Sequence, residues 1–114
     1  MEKSVIVFER EKMMRKGIEL LFKDDPSIRI YAYEDFDSEK HQIDALKPEL
    51  IIADYDTFHE VLPNDPNFNE KCLYLTFNPA LVQHVPSDRI VKKPLKLLEL
   101  KARILSLLVG NVLN

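Results

Sequence analysis

Residues 50–54 read Leu50-Ile51-Ile52-Ala53-Asp54, four apolar residues closed by a carboxylate. The run has the length of a strand, and it shows no polar alternation, so both of its faces are covered. A strand of that kind belongs inside a parallel sheet, where its neighbours should read the same way. Val5-Ile6-Val7-Phe8 precedes it, bounded by charges, and Cys72-Leu73-Tyr74-Leu75 follows it, ending at Thr76. Ile28, Ile30 and Ala32 alternate with Arg29, Tyr31 and Tyr33, the pattern of a further strand with one wetter face. Arg89-Ile90-Val91-Lys92 is the last and shortest candidate.

Helical patterns lie between these runs. Over residues 11–23, Met13 or Met14, Gly17/Ile18 and Leu20/Leu21 recur at three- and four-residue steps, and Asp24-Asp25-Pro26 stops the helix because Pro26 disfavours helical dihedrals before it. Ser38 is the expected cap of a helix reaching about Leu46, with Ile43 and Leu46 inward and Lys47-Pro48 as the break. Residues 55–71 carry Pro63, Pro66 and a cluster of Asn and Asp, which predicts at most one short turn around Phe58 to Leu62. Pro79 suits the first turn of a short helix over 79–84. Leu95 to Val109 is the strongest helical pattern, with Gly110 as its expected stop. Strands alternating with helices make a parallel sheet covered on both faces, and five strands of this length make a doubly wound, flavodoxin-like sandwich with right-handed crossovers. Its third and fourth helices should be short.

Composition narrows the function classes. The chain has 114 residues, the size of one domain, and its 46% hydrophobic and 31% charged content is a globular balance. A net charge of −3 argues against a general nucleic-acid binder. No apolar run approaches the roughly 18 residues of a membrane span, and Val5 to Phe8 meets Glu9 too soon for a signal-peptide core. Cys72 is alone, reads as an inert core thiol, and asks for no oxidising compartment. The expected location is therefore cytoplasmic. With two glycines there is no phosphate-cradling loop, and His41, His59 and His84 lack metal-ligand spacing, so they read as surface residues.

In an open parallel sheet the ligand site lies beyond the carboxyl ends of the strands. Glu9 follows the first strand, Asp54 ends the third with Asp56 two residues on, Thr76 ends the fourth, and Lys93 follows the fifth ahead of Pro94. Clustered carboxylates call for a cation, and Mg²⁺ takes one or two of them together with waters and phosphate oxygens. A carboxylate can also accept a phosphoryl group, whose spread negative charge an ammonium and a metal ion neutralise. A small hydrolase working from this rim is a weaker reading, since neither a histidine base nor a glycine-rich loop accompanies it.

These residues, in this order, resemble the receiver domain of two-component response regulators over essentially the whole chain. The matching pieces are Val5-Ile6-Val7-Phe8-Glu9, Leu50-Ile51-Ile52-Ala53-Asp54, Tyr74-Leu75-Thr76 and Val91-Lys92-Lys93-Pro94-Leu95. The resemblance implies that Asp54 is the phospho-acceptor, Thr76 the switch hydroxyl and Lys93 the phosphate-contacting lysine. It also implies Mg²⁺ held by Glu9, Asp54 and a backbone carbonyl near Asp56, and a cis bond before Pro94. It implies no enzyme activity of the chain's own, but a histidine kinase or phosphotransfer protein upstream and a protein partner downstream. Three departures stand out. Phe8 replaces one member of the acidic pair, Glu9 is longer than the usual Asp, and the aromatic switch position is Ile90. Phe8 either extends the apolar strand or closes the rim against water and metal. The competing function is a phosphorylation-independent pseudo-receiver, a constitutive interaction module.

Two stretches suggest contact surfaces. Arg10, Lys12, Arg15 and Lys16 make the first helix basic, either a solvated face or a docking patch for an acidic partner. On the last helix, Lys96, Glu99, Arg103 and Ser106 occupy a polar arc of about 80° at 100° per residue. Most of the remainder is apolar, wider than a core-facing stripe requires, which suggests a homodimer or partner surface there. No output domain follows that helix in this sequence, so the expected module stands alone and works by protein contacts.

Overall fold

Period-two alternation divides the central strands between two cores. The computed structural model describes residues 2–83 and 85–113, and for 110–113 the backbone alone. Strands β1 (Lys3–Phe8), β2 (Ile28–Tyr33), β3 (Leu50–Asp54), β4 (Cys72–Thr76) and β5 (Ile90–Lys92) form one five-stranded sheet in the order β2-β1-β3-β4-β5. Every pairing is parallel, with Val7 beside Ala32 and Ile52, and Asp54 beside Leu75. This is the doubly wound, flavodoxin-like architecture that the apolar runs imply.

Val5, Val7, Leu50, Ile52, Leu73 and Leu75 point to one face, where α1 (Lys12–Leu21) and α6 (Leu97–Leu113) cover them. Ile6, Phe8, Ile51, Ala53, Cys72 and Tyr74 point to the other. On the first face, α1 turns Met14, Ile18 and Leu21 inward and leaves Met13 and Leu20 in solvent, which settles the choice between adjacent apolar residues. Gly17 lies where α6 begins: a Cβ there would stand 3.3 Å from a Leu97 methyl, so a side chain would press on that contact. From α6, Leu100, Ile104, Leu107 and Leu108 enter the core. Arg103 donates to the Asp88 and Ile90 carbonyls at 2.7 and 3.3 Å, tying the helix to β5.

The second face is covered piecemeal. The segment expected as one helix capped by Ser38 is two, α2 (Phe36–Glu39) and α3 (His41–Leu46). The cap is Asp35, whose carboxylate accepts from the Ser38 amide at 3.0 Å. At Lys47 the chain turns left-handed (φ 47°) before Pro48. The 55–71 stretch holds more helix than its prolines suggest: α4 (Tyr55–Phe58) and α5 (Pro66–Glu70), the latter with Asp65 as cap and Pro66 in the first turn, where a missing N–H costs nothing. The expected turn over 58–62 is present, with the Val61 and Leu62 amides donating to the Phe58 carbonyl at 2.9 and 3.0 Å, and α4 runs into it. Among the described residues between β4 and β5, the helical pieces are 3-10 turns at Pro79–Leu81 and Ser87–Arg89, short of the helix expected over 79–84. His84, expected on the surface, lies outside the described residues.

The last helix also departs from expectation at both ends. It starts at Leu97 rather than Leu95 and continues through Gly110 to Leu113. One glycine is a weak stop, costing about 1 kcal/mol of helix propensity. Its wide apolar arc is real but mostly spent on the core, leaving Leu98 (80% exposed), Ala102 and Val109 outward. Among the described residues no helix is long and apolar enough to cross a membrane. Ile104→Ala should lower the unfolding free energy by about 2–5 kcal/mol in a urea melt, whereas Leu98→Ala should change it by less than about 0.5 kcal/mol.

Candidate functional site

Strands β1, β3 and β5 deliver their carboxyl ends to one rim, and each brings a charge. Glu9 and Asp54 are 2% and 4% exposed, and Thr76 is fully buried. The Lys93 ammonium reaches both carboxylates, 2.9 Å from Asp54 Oδ1 and 3.3 Å from Glu9 Oε1. The Lys93 amide donates to the Thr76 carbonyl at 2.7 Å, and the Lys93–Pro94 bond is cis. Glu9 is fixed from behind: its amide donates to the Tyr33 carbonyl, and the Arg15 guanidinium donates to the Glu9 carbonyl at 2.8 Å. Part of the basic charge on α1 is therefore structural.

The second Asp54 oxygen has a partner that the sequence reading did not pick. Thr57 Oγ1 donates to Asp54 Oδ2 at 2.5 Å. Asp54 is the residue preceding α4 and Thr57 stands three residues on, the spacing at which side chains meet across a first helical turn. That spacing was legible, but a threonine beside a proline-rich stretch carries little signal alone. Asp54 Oδ1, by contrast, has no aligned hydrogen bond and is held by the charge of Lys93.

Thr76 lies beside this cluster with its hydroxyl turned away from it. Thr76 Oγ1 donates to Asp56 Oδ1 at 2.6 Å, and the other Asp56 oxygen accepts from the Phe77 amide at 2.9 Å. Pleating explains the direction. Thr76 shares a face with Cys72 and Tyr74, while Asp54 shares one with Leu50 and Ile52. Among the expected site residues, then, Glu9, Asp54 and Lys93 meet directly, and Thr76 meets Asp56.

Phe8 does not enter the rim. It is fully buried in the second core, its ring 4.9 Å from that of Phe36 and 6.1 Å from that of Tyr33. The reading in which it plugs the charged site is incorrect, because strand alternation sends Phe8 to the same face as Ile6. Ile90 packs against that core too. Burial pushes the Cys72 thiol up to about 12, which suits an inert core residue. His59 stacks on Tyr55 at 5.6 Å and is half exposed, and His41 is exposed.

Whether these residues suit Mg²⁺ turns on the donors. Glu9 and Asp54 each offer a buried oxygen facing the same cation position, and Asp54 Oδ1 lacks an aligned donor. Two carboxylates suffice for an ion that keeps its waters. The Asp56 carboxylate is committed to Thr76 and Phe77, leaving only its carbonyl to contribute. No group of three acidic, histidine or cysteine side chains suited to a metal occurs among the described residues. The donors present are two buried carboxylate oxygens around the Lys93 ammonium and one backbone carbonyl, which is not a dedicated metal cage.

Burial raises the Glu9 carboxyl above its ordinary 4.5, and the Asp54 charge raises it further, with Lys93 opposing. Burial pulls Lys93 down, but the close contact with Asp54 and the negative charges of Glu9 and Asp54 outweigh it, so its pKa lies above 10.5. The signs differ in consequence. Both raised pKa values favour folding at pH below the unfolded value and lose that contribution as pH rises through the folded one. For Lys93 the loss comes only above pH 10.5, whereas for Glu9 it falls between pH 4.5 and its raised value. Glu9→Gln should therefore gain stability relative to wild type as pH rises from 4.5 toward neutrality, read by urea melts across that range. Lys93→Met leaves two buried carboxylates without a counter-charge and should cost about 3–5 kcal/mol at pH 7 in the same assay.

No protein-family model and no curated protein matches this sequence. Among solved structures, the chain is similar to the anti-anti-sigma factor PhyR from Bartonella quintana, with a TM-score of 0.67 at 21% identity. The match covers 97% of this chain and 49% of that one, so this chain spans about half of that protein's length. The likeness is one of fold.

Proposed function

We propose that the chain is a receiver-type signalling module that works through protein contacts, with Asp54 as its phospho-acceptor. The observation that carries this reading is the Lys93 ammonium 2.9 Å from the Asp54 carboxylate at the carboxyl end of the central strand. The likeness in fold to a regulatory protein agrees with it. In the proposed transfer, an Asp54 oxygen attacks the phosphorus of a phosphohistidine on a histidine kinase or phosphotransfer protein. The P–N bond breaks, and its electron pair leaves with the imidazole, which departs neutral because its far nitrogen is protonated. Lys93 balances the negative charge of the transferring group. Mg²⁺, held by Glu9, Asp54 and the Asp56 carbonyl, would supply further neutralisation when bound. Acyl phosphate at Asp54 removes the carboxylate that Lys93 now pairs with, so the ammonium must follow the new oxygens. That movement shifts the population toward a partner-binding form.

A second reading, the phosphorylation-independent module, is favoured by one observation: the rim groups already satisfy one another. Asp54 is held by Lys93 and Thr57, and Thr76 by Asp56. Beryllofluoride with Mg²⁺ separates the two readings. On the first, amide resonances around Asp54, Thr76 and Lys93 shift, and the shifts vanish in Asp54→Asn. Silence at millimolar beryllofluoride and Mg²⁺ favours the second.

The exposed strip of Leu98, Ala102 and Val109 on α6 is our candidate surface for a second copy or a downstream protein. Sedimentation at high protein concentration should show a concentration-dependent dimer that Leu98→Glu weakens; a clean monomer leaves the surface to another protein.

A further inference from the structure

Thr76 has one hydroxyl proton and three neighbours that bear on it. Asp56 Oδ1 stands at 2.6 Å and the Asn78 carbonyl at 3.3 Å, while the Asn78 amide donates to the hydroxyl at 3.0 Å. The charged, closer acceptor takes the proton. The same carboxylate also holds the Phe77 amide, so Asp56 grips two successive residues of the loop after β4. That grip fixes the backbone of Phe77, whose ring is otherwise 63% exposed. The ring centroid lies 5.4 Å from the Lys93 ammonium, within cation–π range. Phe77 and Asp56 also line, with Tyr55, His59, Asn78 and Leu81, an open cleft of about 390 Å³.

A closed circuit results. Asp54 pairs with Lys93, Lys93 faces the Phe77 ring, Phe77 and Thr76 are held by Asp56, and Asp56 is two residues from Asp54 on the same helical turn. We infer that Asp56 is a positioning residue, an internal acceptor that keeps the Thr76 hydroxyl and the Phe77 amide latched to α4 in the resting protein. This deepens the phospho-acceptor reading and rests on it for its role. An anion on Asp54 can draw the Thr76 proton only by taking it from Asp56. Once it does, Asp56 holds the loop by the Phe77 amide alone, and as Lys93 turns to the anion the Phe77 ring loses its cation. The latch therefore converts a change at a buried carboxylate into the release of an exposed aromatic ring.

The test uses the full chain, Asp56→Ala and Asp56→Asn, with strand amides such as Leu75 as folding controls. Alanine frees Thr76 to donate to Asn78, so no buried hydroxyl is orphaned. Asparagine keeps one acceptor but turns its N–H₂ toward one of the two donors. Amide exchange by NMR should show the Phe77 amide losing protection by roughly tenfold or more in Asp56→Ala, and less in Asp56→Asn, while Leu75 is unchanged. Unchanged protection at Phe77 overturns the latch. Beryllofluoride with Mg²⁺ supplies a readout that a merely structural residue would move the other way. Removing the competing acceptor should tighten binding by roughly tenfold, whereas weaker or equal binding overturns the positioning role. If neither wild type nor variants bind beryllofluoride, the phospho-acceptor reading fails, and lost Phe77 protection still supports the latch as a fixed clamp.

Discussion

One ammonium between two buried carboxylates holds the carboxyl-end rim of the sheet together. Lys93 follows the edge strand β5, Asp54 ends the central strand β3, and Glu9 follows β1. The three charges sum to −1 in a region almost closed to water, so none of them is indifferent to the others. The arrangement favours a definite geometry more than it favours stability. A well-packed apolar rim would fold as readily, but it would offer nothing for a phosphoryl group or a cation to perturb. Burial and the Asp54 charge hold the Glu9 carboxyl above its ordinary range. What surrounds the triad serves to keep it in place: Arg15 behind Glu9, Thr57 on Asp54, the Thr76 carbonyl on the Lys93 amide.

The fold was legible because its decisive signal is long and redundant. Three apolar strands with both faces covered, spaced by helical patterns, leave little besides a parallel doubly wound sheet. The first helix was legible to within its inward residues, and the rim residues were legible because strand ends project to a common edge. Local features were not. Asp35 displaces Ser38 as the cap because both residue types can cap, and only the path of the backbone decides between them. Gly110 does not end α6, since one glycine costs only about 1 kcal/mol of helix propensity.

Within the site, the sequence identified which residues meet at the rim but not how their hydrogen bonds are shared. Thr76 was expected beside Asp54, yet its proton goes to Asp56, while Thr57 supplies the hydroxyl on Asp54. A choice of that kind between acceptors is set by tenths of an ångström and by the pleat of the strand, neither of which composition or spacing encodes. Phe8 illustrates the reverse case. Its two readings differed only in the direction of one side chain, and the alternation already visible in Ile6 and Phe8 sends it to the core.

The unequal cover of the two sheet faces has a consequence for how the molecule breathes. One face carries helices of ten and seventeen residues, and the other carries pieces of four to six residues and 3-10 turns. Helices that short do not hold themselves in water; their order is lent by the sheet beneath them. Sub-global opening should therefore begin on the side of Tyr55 and Phe77 and leave the α1–α6 layer closed, dividing the chain into a persistent foldon and a labile one. The rim residues belong to both: Asp54 shares the pleat of the persistent layer, and Asp56 and Thr76 lie with the labile one. The boundary between two cooperative units thus runs through the charged rim itself, where a small shift in local free energy is felt on both sides.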